Sequence, residues 1–261
     1  MSPSPAKARE QRVGHYDLVA RLAIGGMGEL FLAREQGIAG FERLVVIKRI
    51  LPNLAASVAF REMFLREARL LARLNHPNVV QTVELGEDQG NYYLVLEYLQ
   101  GSTLRELQVL AQRAEVELPV GVVVGIIAQG LRGLHAAHEL KDLQGNLLGT
   151  VHRDLTPHNL MCSPEGNVKL FDFGVAKATE HGEVTHSGML KGKLAYMSPE
   201  QCRHKPIDRR SDIFSIGVVL WEFLAGQRLF KRKAEVDTLN AITNVDVPLL
   251  KDIRPELPES I

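Results

Sequence analysis

Cysteine is scarce in this sequence: two, Cys162 and Cys202, among 261 residues. That is too few for a disulfide framework, no metal-ligand spacing accompanies them, and they read as reduced intracellular thiols. An excess of charge of one sign is missing as well. Basic and acidic residues number 31 each, and this balance argues against a nucleic-acid binder, whose phosphate contacts need a basic excess. No run of about eighteen apolar residues occurs, so no bilayer span is expected. Residues 1–12 are rich in Ser, Pro and Ala with scattered charge, lack the apolar stretch of a signal peptide, and read as a disordered lead-in reaching residue 13. These absences bound a cytoplasmic globular chain. Its length allows one large domain or two packed lobes, and the 45% hydrophobic content is ample for a core.

The first part of the chain reads as short strands with one helix. Residues 18–22, 30–34 and 44–50 are strand candidates separated by glycine-rich or polar turns. Phe60, Phe64, Leu65, Ala68, Leu71, Ala72 and Leu74 then follow helical spacing, which Asn75-His76-Pro77 ends. Residues 79–85 and 92–98 are two further strands around a turn at 88–91. After Gly101 the pattern turns helical: Ser102 is the candidate N-cap of a helix from Thr103. Val123, Ile127, Leu131 and Leu134 line one face of a second helix over 120–140, and 213–224 reads as a buried helix. The expected fold class is α+β, a small sheet-rich lobe followed by a larger helical one. No internal repeat is visible.

Three strings carry chemistry. Ala23-Ile24-Gly25-Gly26-Met27-Gly28-Glu29-Leu30 sits between two strands, and glycines there let backbone N–H groups approach phosphate oxygens. A tight hairpin gives the same string. Val45-Val46-Ile47-Lys48 ends an apolar strand on a lysine that needs a partner if buried; Glu67 in the next helix can supply it, and a solvated lysine is the alternative. The most informative string is Val151-His152-Arg153-Asp154-Leu155-Thr156-Pro157-His158-Asn159-Leu160-Met161. After a turn at 163–167 comes Val168-Lys169-Leu170-Phe171-Asp172-Phe173-Gly174. Asp154 can take the proton of an attacking hydroxyl, and Asn159 and Asp172 are oxygen ligands suited to Mg²⁺.

In order and spacing these residues resemble the signature set of protein kinases of the eukaryotic-like (Hanks-type) bacterial kind, from about Tyr16 to Pro258. The resemblance implies a bilobal fold, with a small antiparallel-sheet lobe over 14–99 and a mainly helical lobe over 100–261. It also implies that ATP is bound with Mg²⁺, with Mn²⁺ as an alternative ion. Ala23, Gly25, Gly26 and Gly28 would cover the phosphates, and Lys48, paired with Glu67, would hold them. Leu30 and Val46 would roof the adenine and Met161 would floor it. Leu96 falls at the gatekeeper position, with Glu97 and Leu99 as hinge contacts. Asp154 would be the catalytic aspartate, and Asn159 and Asp172 the metal ligands. Ser198-Pro199-Glu200 closes the activation segment, and Asp212 matches the residue that braces the catalytic loop, although an ordinary helix cap is the alternative. His152, Phe173 and Leu71 match the regulatory spine, although they would be core residues in almost any fold. Met27 beside a double glycine, and residues 191–201, resemble Ser/Thr rather than tyrosine kinases.

Departures from the pattern carry their own expectations. Ala23 replaces the first glycine of the loop. Thr156 stands where such kinases usually have a lysine facing the γ-phosphate, and Lys193 where they have a threonine. An exchange is the expectation, with the Lys193 ammonium supplying the missing cation and Thr156 the hydroxyl; a solvated Lys193 and a weaker site is the alternative. Residues 141–150 read as a hairpin extension of unknown role. The chain ends at Ile261, where family members continue through further helices, including an arginine that pairs with the counterpart of Glu200. An incomplete lobe with Glu200 unpaired is therefore expected. Arg153 before the catalytic aspartate implies activation by phosphorylation, with Thr179, Thr185 and Ser187 as acceptors and 184–187 the preferred site.

The function implied is transfer of the ATP γ-phosphate to Ser/Thr hydroxyls of protein substrates, with autophosphorylation. A pseudokinase is the alternative, favoured by Thr156 and the early end and opposed by intact Lys48, Glu67, Asp154, Asn159 and Asp172. A small-molecule kinase is disfavoured by the Ser-Pro-Glu segment. No nucleic-acid partner and no membrane span are expected within this chain. Dimerisation, the protein substrate, and any tethering beyond residue 261 are left open.

Overall fold

Strand alternation builds the first half of the chain. In the computed structural model, which describes residues 12–25, 28–173, 190–244 and 247–258, the chain divides into two compact units. The first takes residues 1–73 and 81–98, and the second 74–80 and 99–261.

In the first unit, β1 (Arg12–Val13), β2 (Tyr16–Ile24), β3 (Gly28–Gln36) and β4 (Glu42–Ile50) are followed by a short helix α1 (Pro52–Ala55), a long helix α2 (Val58–Leu71), and strands β5 (Thr82–Asp88) and β6 (Asn91–Glu97). The strands form one antiparallel sheet in the order β1-β2-β3-β4-β6-β5. Successive side chains of a strand face opposite ways. Phe31, Ala33, Val45, Ile47, Tyr93 and Val95 thus form a single buried face with Val13 and Tyr16. The other face carries Leu30, Val46, Lys48 and Leu96. The lead-in expected over 1–13 stops short of Val13, which pairs with Tyr16 and is buried. α2 buries Met63, Phe64, Glu67, Ala68 and Leu71. It ends at Leu71 rather than Leu74, and Ala72, expected on its apolar face, is exposed.

The second unit begins with an insertion from the first. Leu170 N donates to Asn78 O at 2.9 Å and Val80 N to Leu170 O at 2.8 Å. The buried Asn78 side chain donates to Val168 O at 2.8 Å. These bonds assign 74–80 to the second unit. Its small antiparallel sheet runs β7 (Ser102–Thr103), β8 (Leu160–Cys162), β9 (Val168–Leu170). Helices α3 (Leu104–Arg113), α4 (Val120–His138), α5 (Leu190–Lys193), α6 (Pro199–Cys202), α7 (Arg209–Ala225), α8 (Glu235–Asn244) and α9 (Leu250–Ile253) complete it.

Three sequence expectations shift by a turn or less. Thr103, not Ser102, caps α3, because Glu106 three residues on closes a capping box with it. Leu131 of α4 and Ile213 of α7 are exposed, and Ile126, Gly130 and Gly133 take the packing face instead. α4 is also long and apolar enough to cross a membrane by length and composition, although no apolar run of that length was expected. Its Gly130 sits under Leu160 and Ile216, and Val123 packs with Leu224 and Leu257. The extension at 141–150 is a small hairpin, with Lys141 bridged to Leu147 around an Asp142 carboxylate that accepts from Gln144 N and Asn146 N, each at 2.9 Å.

Gly133 lets α4 approach residue 78: a Cβ there would stand 2.5 Å from Asn78 O and 2.9 Å from Leu170 Cδ1. Gly133→Ala should therefore destabilise the protein by about 1–3 kcal/mol. Gly125→Ala on the open face of the same helix meets nothing within 4 Å and should stabilise it by about 0.5–1 kcal/mol. Opposite shifts of the urea midpoint check this pair.

Candidate active site

In the first unit Lys48 lies across the sheet from Leu30 and Leu94. Its Nζ donates to Glu67 Oε1 at 2.8 Å, so β4 and α2 are joined by one largely buried ion pair. Val46 pairs with Leu32 and Leu96. This puts half-buried Val46, Leu96 and Leu30 on the face that carries Lys48. Gly25 N donates to Gly28 O at 2.8 Å, closing a tight turn, and a Cβ on Gly28 would stand 2.7 Å from Arg49 O. Glycine is therefore demanded at 28 by the neighbouring strand itself. Ala23, opposite Leu30, is exposed, so its methyl group is accommodated without a clash. Gly26 and Met27 lie outside the described residues. Glu97 N donates to Gln81 O at 3.0 Å at the end of β6. Leu99 is half-buried in the second unit, where Met161 is half-buried in β8.

The loop that follows Val151 in the second unit hangs on one carboxylate. Asp212, in the first turn of α7 and 1% exposed, accepts from His152 N at 2.8 Å, Arg153 N at 2.9 Å and His138 Nε2 at 2.7 Å. The helix cap is Asp208, whose side chain accepts from Arg210 N, so Asp212 is the brace. Arg153 needs that support, because its φ of 66° is in the left-handed region, which a non-glycine residue adopts at a cost. Its carbonyl accepts from Gln201 Nε2 at 2.9 Å, and Gln201 also closes a capping box with Ser198. Gln201 was not singled out by the sequence reading, although Ser-x-x-Gln is itself a helix-start signature.

The loop then presents its polar groups. Asn159 Nδ2 donates to Asp154 O at 2.7 Å, which leaves the amide oxygen as its other face. Asn159 O accepts from Phe171 N at 3.2 Å, and Phe171 O is 3.2 Å from His152 Nε2. Asp172 follows, exposed and with a φ of 59°. His152 stacks on Phe173 at 4.5 Å between ring centroids. Leu71, the third spine candidate, is buried in the first unit.

The geometry splits the expected exchange between Thr156 and Lys193. Lys193 Nζ donates to Asp154 Oδ2 at 2.6 Å, so this cation sits on the aspartate. The Thr156 hydroxyl is buried and accepts from His158 N at 3.3 Å, capping its own loop rather than standing in for the missing threonine. Glu200, expected to lack a partner, accepts from Ser211 Oγ at 2.5 Å. Burial opposes ionisation there, yet the hydrogen bonds, Ser211's first, hold it below the usual carboxylate range. Thr179, Thr185 and Ser187 lie outside the described residues. A second buried cluster went unnoticed in the sequence: Tyr196 donates to Glu222 Oε2 at 2.9 Å, and Arg228 lies 3.3 Å from that oxygen.

The model of the protein kinase domain family matches residues 16–259. The chain belongs to that family. Among its relatives, this kinase domain is 47% identical over 251 residues to the tyrosine-protein kinase MasK of Myxococcus xanthus strain DK1622, covering 96% of this chain and 39% of that protein. It is 32% identical over 248 residues to the serine/threonine-protein kinase PrkC of Bacillus subtilis strain 168, covering 95% and 36%. The chain thus spans less than half the length of these two curated relatives. Among solved structures, the kinase domain of Mycobacterium tuberculosis PknI matches with a TM-score of 0.67 and 26% identity, over 97% of this chain and 87% of that one. The kinase fold, with an antiparallel first unit and a mainly helical second one, agrees with the sequence expectation.

His152 is fully buried and its proton affinity is lowered, by burial above all and against the pull of Asp212 and Asp154. Its contacts describe one neutral tautomer, with Nε2–H donating to Phe171 O and Nδ1 accepting from Asp154 N at 3.4 Å. A folded-state pKa below the unfolded value means that the unfolded chain binds more protons, so stability is held above pH ~6.5 and lost as pH falls through the folded value. His158 and His76 shift the same way, again by burial first. Thermal unfolding should therefore give a Tm that drops between pH 7.5 and 5.5, with a shallower drop in His152→Asn. A flat profile would contradict this assignment.

Proposed function

We propose that this kinase domain transfers the γ-phosphoryl group of ATP to Ser or Thr hydroxyls of proteins. The observation that carries the reading is the Asp154 carboxylate, fixed by its loop next to Asn159 and touched by Lys193. The acceptor oxygen would attack the γ-phosphorus as the bond to the β-phosphate oxygen breaks, ADP would leave, and the hydroxyl proton would pass to Asp154. Lys193, on Asp154, is the cation for the developing charge on the migrating group, in place of the lysine missing at 156. Lys48, oriented by Glu67, would bind phosphate oxygens, and Gly25, Gly26 and Gly28 would bring backbone N–H groups to them. Leu30, Val46 and Leu96 of the first unit would offer apolar surface for the adenine, with the Glu97 backbone as a hydrogen-bonding group; Met161 and Leu99, in the second unit, are given the same role by the resemblance alone.

A divalent ion, Mg²⁺ or Mn²⁺, supplies charge neutralisation of the phosphates when bound. The residues present fit it: the amide oxygen of Asn159 and the exposed carboxylate of Asp172 are hard oxygen donors. The free thiols Cys162 and Cys202 suit a reducing, cytoplasmic setting. We read α4, packed on its neighbours, as a core helix. Autophosphorylation is placed at Thr185 or Ser187, and mass spectrometry of active protein after incubation with ATP and Mg²⁺ should find phosphate there. Both sites unmodified would reject the placement.

Ser/Thr specificity is supported by relatives named serine/threonine kinases, PrkC and PknL of Mycobacterium tuberculosis H37Rv among them. Tyrosine transfer is the second reading, on the strength of 47% identity to a protein named a tyrosine kinase. Incubation with γ-labelled ATP and Mg²⁺ should put label into protein, lost in Asp154→Asn, with phosphoamino-acid analysis giving phosphoserine or phosphothreonine. Binding of ATP without any transfer would instead make the chain a pseudokinase. Lys193→Ala should lower kcat by about tenfold or more while the affinity for ATP stays within about twofold. Equal, small changes in both would return Lys193 to the role of a solvated residue.

A further inference from the structure

The second unit holds a cavity of about 700 Å³ that phosphoryl transfer itself leaves unused. Gly192 and Leu194 form one side of it, and Arg228, Lys231, Arg232 and Lys233 another, with Glu235 as the one carboxylate in the wall. The chain as a whole has no net charge, so this concentration of cations is local. Arg228 is already spent: its NH1 lies 3.3 Å from Glu222 Oε2 and donates to Tyr196 at 2.6 Å. The other three differ. Arg232 donates to the carbonyls of Leu229 and Lys231 at 2.9 and 3.2 Å, contacts that fix the guanidinium without neutralising it. Lys231 and Lys233 are exposed. Among the described residues no carboxylate comes within ion-pair distance of any of the three. The backbone that carries them is held in place, since Arg232 N donates to the buried Thr238 hydroxyl at 3.0 Å, which itself donates to Ala234 O.

The position of the cavity matters as much as its charge. Gly192 and Leu194 flank Lys193, whose ammonium is 2.6 Å from Asp154 Oδ2. Cavity wall and Asp154 carboxylate are thus linked through one side chain, that of Lys193, which springs from the wall between Gly192 and Leu194. A peptide that offers a hydroxyl to Asp154 would run past this wall within a few residues.

Resting on the kinase reading, we propose that the cavity receives an anionic side chain of the protein substrate, a carboxylate or a phosphate a few residues from the accepting hydroxyl. Lys231, Arg232 and Lys233 set that preference. Exposed cations act here mainly through encounter and retention of the peptide, so the effect falls on KM and weakens with salt.

The test uses the purified chain and a neutral peptide with one acceptor, varied by placing Asp, phosphoserine or Lys at each flanking position in turn. Asp or phosphoserine at one position should raise kcat/KM by about tenfold, chiefly through KM, and Lys there should lower it. The double variant Lys231→Glu, Lys233→Glu should erase or reverse this preference while the neutral parent is phosphorylated within about twofold of the original rate. Equal response to Asp and phosphoserine identifies a carboxylate site, and response to phosphoserine alone identifies a site for an already phosphorylated substrate; either supports the proposal. Transfer with no positional preference overturns the cavity's role, as does a double variant that loses neutral and acidic peptides alike. Absence of transfer to every peptide overturns the kinase reading, and this proposal with it.

Discussion

One buried carboxylate organises the chemistry of the second unit. Asp212 has water on no side, and an ion in that position is tolerated only if its lone pairs are filled. His138 of α4 fills one, and the main-chain N–H groups of His152 and Arg153 fill others. The requirement works in both directions. The carboxylate needs those donors, and the loop needs the carboxylate, because Arg153 sits at a φ of 66° that its own local energetics disfavour. A loop that would otherwise sample several conformations is thus fastened to two helices of the core. Removing one partner of such an arrangement typically costs about 3–5 kcal/mol, since the remaining polar groups stay buried without partners.

From that anchor the departures in the loop become intelligible. A lysine at 156 would have to emerge from a residue that is almost fully buried, and a threonine fits there because its hydroxyl caps the turn at His158 N. An ammonium does reach Asp154, from Lys193 on a different stretch of backbone. Electrostatic stabilisation depends on where charge sits, not on which segment delivers it. Under the proposed exchange, the segment before Ser198 would return from outside what the loop lacks at residue 156. The bond from Gln201 Nε2 to Arg153 O ties that segment to the strained residue, so the two pieces of backbone share a support.

Much of this was legible in the sequence, for reasons that differ from residue to residue. The strands of the first unit follow from period-two alternation, and Lys48 with Glu67 follows from the need to pair a buried ammonium. Asp154, Asn159 and Asp172 could be named as candidates because they lie within one short stretch of the chain. The features that escaped are long-range or depend on a choice between near-equal neighbours. Thr103 and Ser102 are both good caps, and only Glu106 at the right offset decides between them. Leu131 is apolar yet exposed, because α4 turns toward Gly130 and Gly133, which allow close approach; the exposure of Ile213 on α7 has no such local cause. The Ser211 contact to Glu200 and the bonds of Tyr196 to Glu222 and Arg228 join residues 11 to 32 positions apart, and no local pattern announces them.

The same logic explains why the two metal-ligand candidates need not be placed independently. Phe171 is pinned at both ends of its peptide unit, its N–H by Asn159 O and its carbonyl by His152 Nε2. Asp172 therefore leaves a fixed point, and its left-handed φ of 59° directs the carboxylate from there. Asn159 in turn is fixed by Asp154 O, and His152 by Asp212. Each oxygen donor is thus held, itself or through its neighbour, by bonds that pair a side chain or main-chain N–H with the next residue of the set, and the series ends at the buried carboxylate of α7. Such a chain of bonds carries strain at two non-glycine residues, about 1–3 kcal/mol each, and the buried charge that terminates it keeps that strain from relaxing. Preorganisation here is a property of this bonded network, and the candidate site residues inherit it.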